Sequence, residues 1–367
     1  MAFSVAELAN IANAALDYYL NKGTAFQQTL EARPLVKVME AGKKNFPGGK
    51  GDISIAVQGV FGAGGVDDSL VGYTHDDTVA FYTPANIERA NYTWREQHIG
   101  LSVTHTELKI DGLSVDDGSD VSSHSGRDMT ALVNLWENKL FDFGERYARS
   151  LNTLLWGDGT SDAKAIAGMQ SIITEDPSTG TVGGIDRSVT ANRWWMNRAR
   201  TAAMATAITG DGTLAAYGGD EVTSSAANGG ALLQVLQQEM LQLRRYGAMP
   251  NKFLCGSDFL AALQVEMRSN GYYTQSGFRG SQDGSMGTML FDGTPVEYDP
   301  ELDNLGLSKR GYWWDTRDIF LMTMAGEWRK THKPARPADQ FVLKRSITST
   351  GQLVAKRCNG ALVIDIA

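Results

Sequence analysis

Between residues 129 and 155 the apolar side chains Met129, Leu132, Val133, Trp136, Leu140, Phe143, Tyr147, Leu151, Leu154 and Leu155 recur at steps of three and four, with no proline among them. That spacing places them on one face of a helix. Ser125 and Asp128 can cap its start, and Gly157 and Gly159 stop it. About thirty residues at ~1.5 Å each make a rod of roughly 45 Å. Few compact enzymes need such a rod; an extended subunit can use one as its backbone.

Upstream the pattern changes twice. Ser4 and Glu7 form a capping-box pair ahead of Leu8, Ile11, Ala12, Ala15, Leu16, Tyr19 and Leu20, so residues 4–20 read as a short amphipathic helix. From Asn21 through Pro34 to Gly51, apolar triplets mix with basic and glycine residues as an arm would, and no compact domain fits there. From Asp52 the period becomes two, with Ile53, Ile55 and Val57 on one face, before a glycine-rich stretch over 59–68. Return strands follow at 79–82 and 87–103. Within the second, the apolar parity moves from Tyr92 and Trp94 to Ile99, Leu101 and Val103, which predicts a bulge or bend. Residues 52–104 thus form a long hairpin, too thin to bury a core alone and expected to lie on something else, such as another subunit.

Downstream of the rod, residues 168–187 are rich in turns, 192–206 read as helical, and 207–230 as a polar loop. A second strong helix spans 231–246, with Leu232, Leu233, Leu236, Met240 and Leu243 on one side, and ends at Gly247 and Pro250. A β-α-β unit follows: a strand at 253–255, a helix to Ser269 capped by Ser257 and Asp258, and a hairpin of 289–291 with 296–298 turning at Asp292 and Gly293. Strands are expected at 312–314, 319–324, 341–347, 353–358 and 361–366. The class is mixed α+β.

Chemistry is sparse. There is no phosphate-binding G-x-x-x-x-G-K-[ST], no H-E-x-x-H, no C-x-x-C and no G-x-S-x-G. Of His75, His98, His105, His124 and His332, no two stand at the i, i+4 spacing of a helical metal face. Gly62, Gly64 and Gly65 are followed by Val66, Asp67 and Asp68 rather than by a helix, so they cannot cradle a pyrophosphate. The acid pairs Asp67 with Asp68, Asp76 with Asp77, and Asp116 with Asp117 fit no calcium-loop spacing. They read as solvated turn residues, or as contact charges that meet Arg89, Arg95 or the basic residues of another subunit. No catalytic residue, cofactor or metal is expected. Trp194 with Trp195, and Trp313 with Trp314, read as core residues, with one ring of each pair able to reach an interface.

The formal net charge is −8 and no run of lysine or arginine exceeds two residues, so the basic stripe of a non-specific DNA binder is missing. Cys255 and Cys358 lie in separate strand-like runs, as suits buried free thiols in a reducing compartment. The N-terminus lacks the charged and apolar blocks of a signal peptide, and no stretch approaches eighteen apolar residues. A chain made in the cytoplasm and retained there is expected, with no membrane partner.

The order of parts, arm, long hairpin, long helix, α/β unit and returning strands, resembles that of the major capsid proteins of tailed bacteriophages with the Hong Kong 97-type fold. The resemblance is carried by Asn86-Ile-Glu-Arg-Ala-Asn-Tyr-Thr-Trp-Arg95, Leu101-Ser-Val-Thr-His-Thr-Glu-Leu-Lys-Ile-Asp-Gly112 and Thr179-Gly-Thr-Val-Gly-Gly-Ile-Asp-Arg187. Phe253-Leu-Cys-Gly-Ser-Asp-Phe-Leu260, Asp292-Gly-Thr-Pro-Val-Glu-Tyr-Asp-Pro300 and Gly351-Gln-Leu-Val-Ala-Lys-Arg357 extend it over nearly the whole chain.

The resemblance implies an N-terminal arm over 1–51 and an extended loop over 52–104 lying on a neighbouring subunit. It implies a peripheral domain over 105–164 and 326–367, with the spine helix near 126–156, and an axial domain over 165–325. It implies pentamers and hexamers of the chain closing into an icosahedral head around double-stranded DNA, in the virion after assembly in the host cytoplasm. A portal, a separate scaffolding protein and a decorating protein are the implied partners. Asp67, Asp68, Asp76, Asp77, Arg89, Trp94 and Arg95 are then the expected inter-subunit contacts. Some members weld subunits through a loop lysine, but none lies between Lys50 and Lys109, so such a bond cannot start from this loop. Two rivals are an encapsulin-like compartment and a stand-alone hydrolase using Asp258, Asp299 or Asp315.

Overall fold

A computed structural model describes residues 2–4, 33–48, 51–59, 72–78, 87–110, 114–116, 139, 143–223, 231–269, 289–333 and 340–367. The helix expected over 4–20 lies outside them apart from Ser4, which closes strand β1 (Ala2–Ser4). The segment read as an arm behaves differently from Pro34 onward. Pro34 opens helix α1 (Pro34–Ala41), whose Leu35, Val36 and Met39 are buried in the main core. Strand β2 (Lys44–Phe46) then joins a sheet. A three-residue apolar face is too short to declare itself by period; burial against the rest of the chain is what makes it a core element.

The hairpin strands β3 (Asp52–Gln58) and β4 (Ile87–Thr93) pair antiparallel, with Ile53 opposite Tyr92 and Ile55 opposite Ala90. The chain breaks at Trp94 and resumes as β5 (Arg95–Thr104), at the place where the apolar parity switches. Helix α2 (His105–Ile110) and β6 (Ser114–Asp116) follow, and β6 pairs parallel with β1. Of the rod, residues 143–156 are helical (α3), with Phe143, Tyr147, Leu151, Leu155 and Trp156 buried. Its expected first half lies outside the described residues except for Lys139, which is helical.

Next come α4 (Met169–Ile172) and the small hairpin of β7 (Thr181–Val182) and β8 (Ile185–Asp186). The stretch expected to be one helix over 192–206 is three pieces: a 3-10 turn (Thr190–Trp195), strand β9 (Arg198–Arg200) and helix α5 (Ala202–Ile208). Thr201 divides them, because its side chain accepts from the Met204 amide as an N-cap. Strand β10 (Gly218–Gly219) lies within the stretch read as a polar loop, where it pairs with β9. Helix α6 (Ala231–Arg245), β11 (Lys252–Cys255), helix α7 (Ser257–Ser269), β12 (Leu290–Phe291) and β13 (Thr294–Tyr298) follow the expected order. Asp292 and Gly293 both take positive φ in the turn between the last two strands, as a tight two-residue hairpin demands. The chain ends with α8 (Pro300–Asn304), β14 (Arg310–Trp314), β15 (Ile319–Met324), β16 (Lys330–Thr331), β17 (Val342–Ala355) and β18 (Leu362–Asp365).

Two sheets organise these elements. A seven-stranded mixed sheet runs β10-β9-β18-β14-β11-β13-β12. A five-stranded sheet runs β16-β17-β15-β2, with β5 on the other side of β17. Sheet membership does not follow a division at 325/326: β15 belongs to the second sheet and the C-terminal β18 to the centre of the first. Strand β14 is buried on both faces, with Tyr312 and Trp314 in the main core and Trp313 stacked at 5.3 Å on Phe253 in the core under α6 and α7. That two-sided burial explains its unbroken apolar run. Both cysteines are buried free thiols, and burial pushes Cys255 up to about 12. No helix among the described residues is long and apolar enough to cross a membrane.

Candidate functional site

The hairpin ribbon carries most of the expected contact residues. Its inner face, Ile53, Val57, Ala90 and Tyr92, is buried within its own chain. The ribbon's base therefore lies on its own chain, where the sequence reading allowed for another subunit. Tyr92 fixes it: its hydroxyl donates to the Ala355 carbonyl (3.1 Å) and lies 3.3 Å from the Ala355 amide, which donates to it. Burial pushes the phenol far above its ordinary range, so it stays a neutral donor. A second clasp comes from the β7–β8 turn, whose Gly183 carbonyl accepts from the Asn91 amide at 2.7 Å. Only glycine fits there. Its φ is +60°, and a Cβ would stand 3.0 Å from both the Ala90 methyl and the Tyr92 ring.

Beyond the clasp the outer face is charged and open. Arg89 is exposed and, among the described residues, reaches Ser54 Oγ at 3.5 Å. Arg95 is half-buried beside the bend. Among the described residues neither arginine has a carboxylate within ion-pair distance. Asp76 and Asp77 sit in an exposed turn. Thr74 donates its amide (2.8 Å) and hydroxyl (3.0 Å) to the Asp77 carboxylate, and these bonds hold that group below the usual carboxylate range. Among the described residues Asp76 pairs with His75, at 3.3 Å. Asp67 and Asp68 lie outside the described residues. Trp94 turns its ring inward to pack against its own core, 5.9 Å from the Phe46 ring, with its indole N–H buried and unpartnered among the described residues. Among the described residues Asp76, Asp77, Arg89 and Arg95 thus form no ion pair with a lysine, arginine or carboxylate partner, and Trp94, partly buried, packs against the core of its own chain.

A junction that sequence reasoning missed ties the rod to the seven-stranded sheet. Asp299, fully buried, accepts from Trp156 Nε1 at 2.9 Å and caps α8 through the Glu301 amide at 3.0 Å. Glu301 in turn accepts from the Thr153 hydroxyl at 2.6 Å. Burial holds the Asp299 carboxyl above its ordinary value of 3.8, against the opposing pull of the Trp156 bond. Asp299 is committed to packing. Asp315, almost fully buried, faces Arg317 at 2.6 Å, and Asp258 accepts from the Ser308 hydroxyl. The three acids weighed for hydrolysis thus serve three separate structural contacts. Asp299 directly before Pro300 is the sequence clue to this cap, a capping carboxylate followed by a proline at the first helical position.

A second missed feature lies on the five-stranded sheet. Lys44 of β2 and Lys356, which follows β17, both stand over the ring of Phe320 in β15, at 3.7 and 5.5 Å from its centroid. Both lysines are exposed, while Phe320 is buried. Their separation along the chain hid the pair from any reading by spacing.

No family model matches the chain, and no curated protein matches it in sequence. Solved structures do. The chain resembles a subunit of the cyanophage A-1(L) capsid, at 15% identity over 91% of this chain and 93% of that one, with a TM-score of 0.55. It also matches a chain of the capsid of a native gene-transfer-agent (GTA) particle at 10% identity over 90% of each, with a TM-score of 0.49. A chain of the capsid of the myovirus XM1 matches at 11% identity over 89% of this chain and 90% of that one, with a TM-score of 0.45.

Proposed function

We propose that this chain, whose mixed α+β fold is the Hong Kong 97-type capsid fold, is the major capsid subunit of a tailed bacteriophage or a related particle, a structural protein of the icosahedral head. The observation that supports this best is the end-to-end likeness to the cyanophage capsid subunit, which leaves little of either chain unmatched. The ribbon supplies the physical means. The ribbon is clasped at its base, and Arg89, Arg95 and the Asp76–Asp77 turn carry charge with no oppositely charged lysine, arginine or carboxylate partner among the described residues, the condition of groups that find their counter-charges on a neighbour. Many modest contacts of this kind, repeated by symmetry, close a shell while each stays reversible enough to correct errors.

In this reading residues 52–104 are the extended loop. Residues 105–164 with 326–367 form most of the peripheral domain around the rod and 165–325 most of the axial domain, with β15 and β18 each lying in the other part's sheet. Pentamers and hexamers of the chain enclose double-stranded DNA without reading its sequence, with a scaffolding protein, a portal and a decorating protein as partners. The acidic net charge suits an enclosing wall that leaves the polymer free to leave. Negative-stain electron microscopy with sedimentation of the purified chain, with and without its scaffold, tests the reading. Icosahedral shells, pentamers or hexamers are expected; a strict monomer under both conditions counts against it.

A further inference from the structure

The Lys44 and Lys356 pair is unusual on an acidic chain. Two ammonium groups share one aromatic ring, and among the described residues neither has a carboxylate within ion-pair distance. Lys44 is held below the ordinary lysine range by partial desolvation and then by Lys356, with Asp318 only partly offsetting them. Asp318 itself leans toward Arg357, its strongest opposing charge. Lys37 and Lys43 are exposed nearby in sequence, and Arg317 is largely exposed on the turn before β15. Like charges held together repel unless an anion bridges them, and the buried ring of Phe320 keeps the two stems in place.

We propose that the Lys44–Lys356 pair is a docking point for the Asp76–Asp77 turn of a second copy of this chain. The proposal rests on the capsid reading and names one contact within it. Two carboxylates match two ammonium groups in number. The Asp76 side chain is 85% exposed, and among the described residues no lysine or arginine of its own chain reaches either acid. Thr74 holds the Asp77 carboxylate in a fixed turn, so the acidic pair is pre-organised and loses little freedom on binding. Because the chain carries a net −8, a cationic spot on it is complementary to most of the surface of its own copies.

Charge reversal on the full chain, assembled under the conditions that give wild-type shells, tests the contact. Lys44→Glu with Lys356→Glu is expected to lower shell yield by about tenfold, and Asp76→Lys with Asp77→Lys to do the same, since like charges then face each other. All four changes in one chain are expected to restore most of the yield. Assembly unchanged by either reversal, or no rescue by the fourfold variant when its circular dichroism is native, overturns the contact. Should a reversal fail to fold, Lys44→Gln with Lys356→Gln reads the same contact: shells of this variant are expected to lose part of the wild type's sensitivity to salt, and unchanged sensitivity overturns it. Lysine variants that assemble normally but lose retained DNA also overturn it, in favour of a phosphate site. A wild-type chain that never assembles counts against the capsid reading itself, and the contact falls with it.

Discussion

Three buried polar residues, Tyr92, Arg187 and Asp299, tie distant parts of the chain together, and each makes a separate prediction. Tyr92→Phe removes the hydroxyl that bridges to Ala355 at the ribbon's base. It should cost about 1–3 kcal/mol in urea unfolding and speed hydrogen exchange in β3 and β4 before it does so elsewhere. Arg187 is fully buried with no carboxylate partner among the described residues; its guanidinium instead donates to the Ile172 carbonyl (2.8 Å), Thr174 Oγ1 (3.1 Å) and Asn197 Oδ1 (3.3 Å). A single ammonium cannot reach three acceptors at those directions, so Arg187→Lys should destabilise by about 2–3 kcal/mol despite keeping the charge. Asp299 gives a pH signature. As pH rises past its ordinary 3.8, the unfolded carboxyl ionises while the buried one keeps its proton. Stability therefore falls from 3.8 upward until the raised folded value is passed, and is flat above it. Asp299→Asn cannot ionise, so unfolding midpoints measured across that window should decline less steeply than in the wild type. Asp318 and Asp365, raised by burial in the same direction, should leave a residual slope in the variant.

At the scale of elements, β17 shows where local patterning misleads. Thr348, Ser349, Thr350 and Gly351 look like a turn between two strands, yet the structure runs one 14-residue strand through them. The strand survives because it is paired on both sides: β5 covers 342–351 and β15 takes over at Gly351, so the backbone finds partners even where side chains are small. Gly351 is required by crowding, since a Cβ there would stand 2.9 Å from the Met322 carbonyl and 3.0 Å from the Trp328 ring. Gly351→Val is thus expected to lower the melting temperature although valine is the better strand former. For the ribbon the expectation is the opposite, that shell formation depends on its outer part more than folding does. Replacing residues 59–86 by an Asn-Gly turn, which keeps the β3–β4 register, should leave the melting temperature within a few degrees of wild type while abolishing shells in sedimentation. A collapse of the fold would show instead that the loop belongs to the core.

At the scale of the whole molecule, the sheets are stitched by residues distant in sequence, and so are the charges. Glu239, on the buried face of α6, receives both Arg198 and Arg200 from β9, and Arg310 of β14 joins Asp365 of β18 and Glu175. Both cysteines are buried, and no lysine lies between Lys50 and Lys109, so shells should dissolve to monomers on boiling in detergent without reductant. A covalent ladder on the gel would contradict this. The α+β class, the helix at 143–156, the α6 to β13 succession, the bend at Trp94 and the missing catalytic motifs were all legible in the sequence alone, because each depends on periods and turn chemistry spanning a few residues. The burial of α1, the division of 190–208 into three pieces, the crossing of β15 and β18 between sheets, the Asp299 cap and the lysine pair over Phe320 were decided only by tertiary structure. Each joins groups far apart along the chain, and a local pattern records how a segment can fold but not which distant surface will desolvate it.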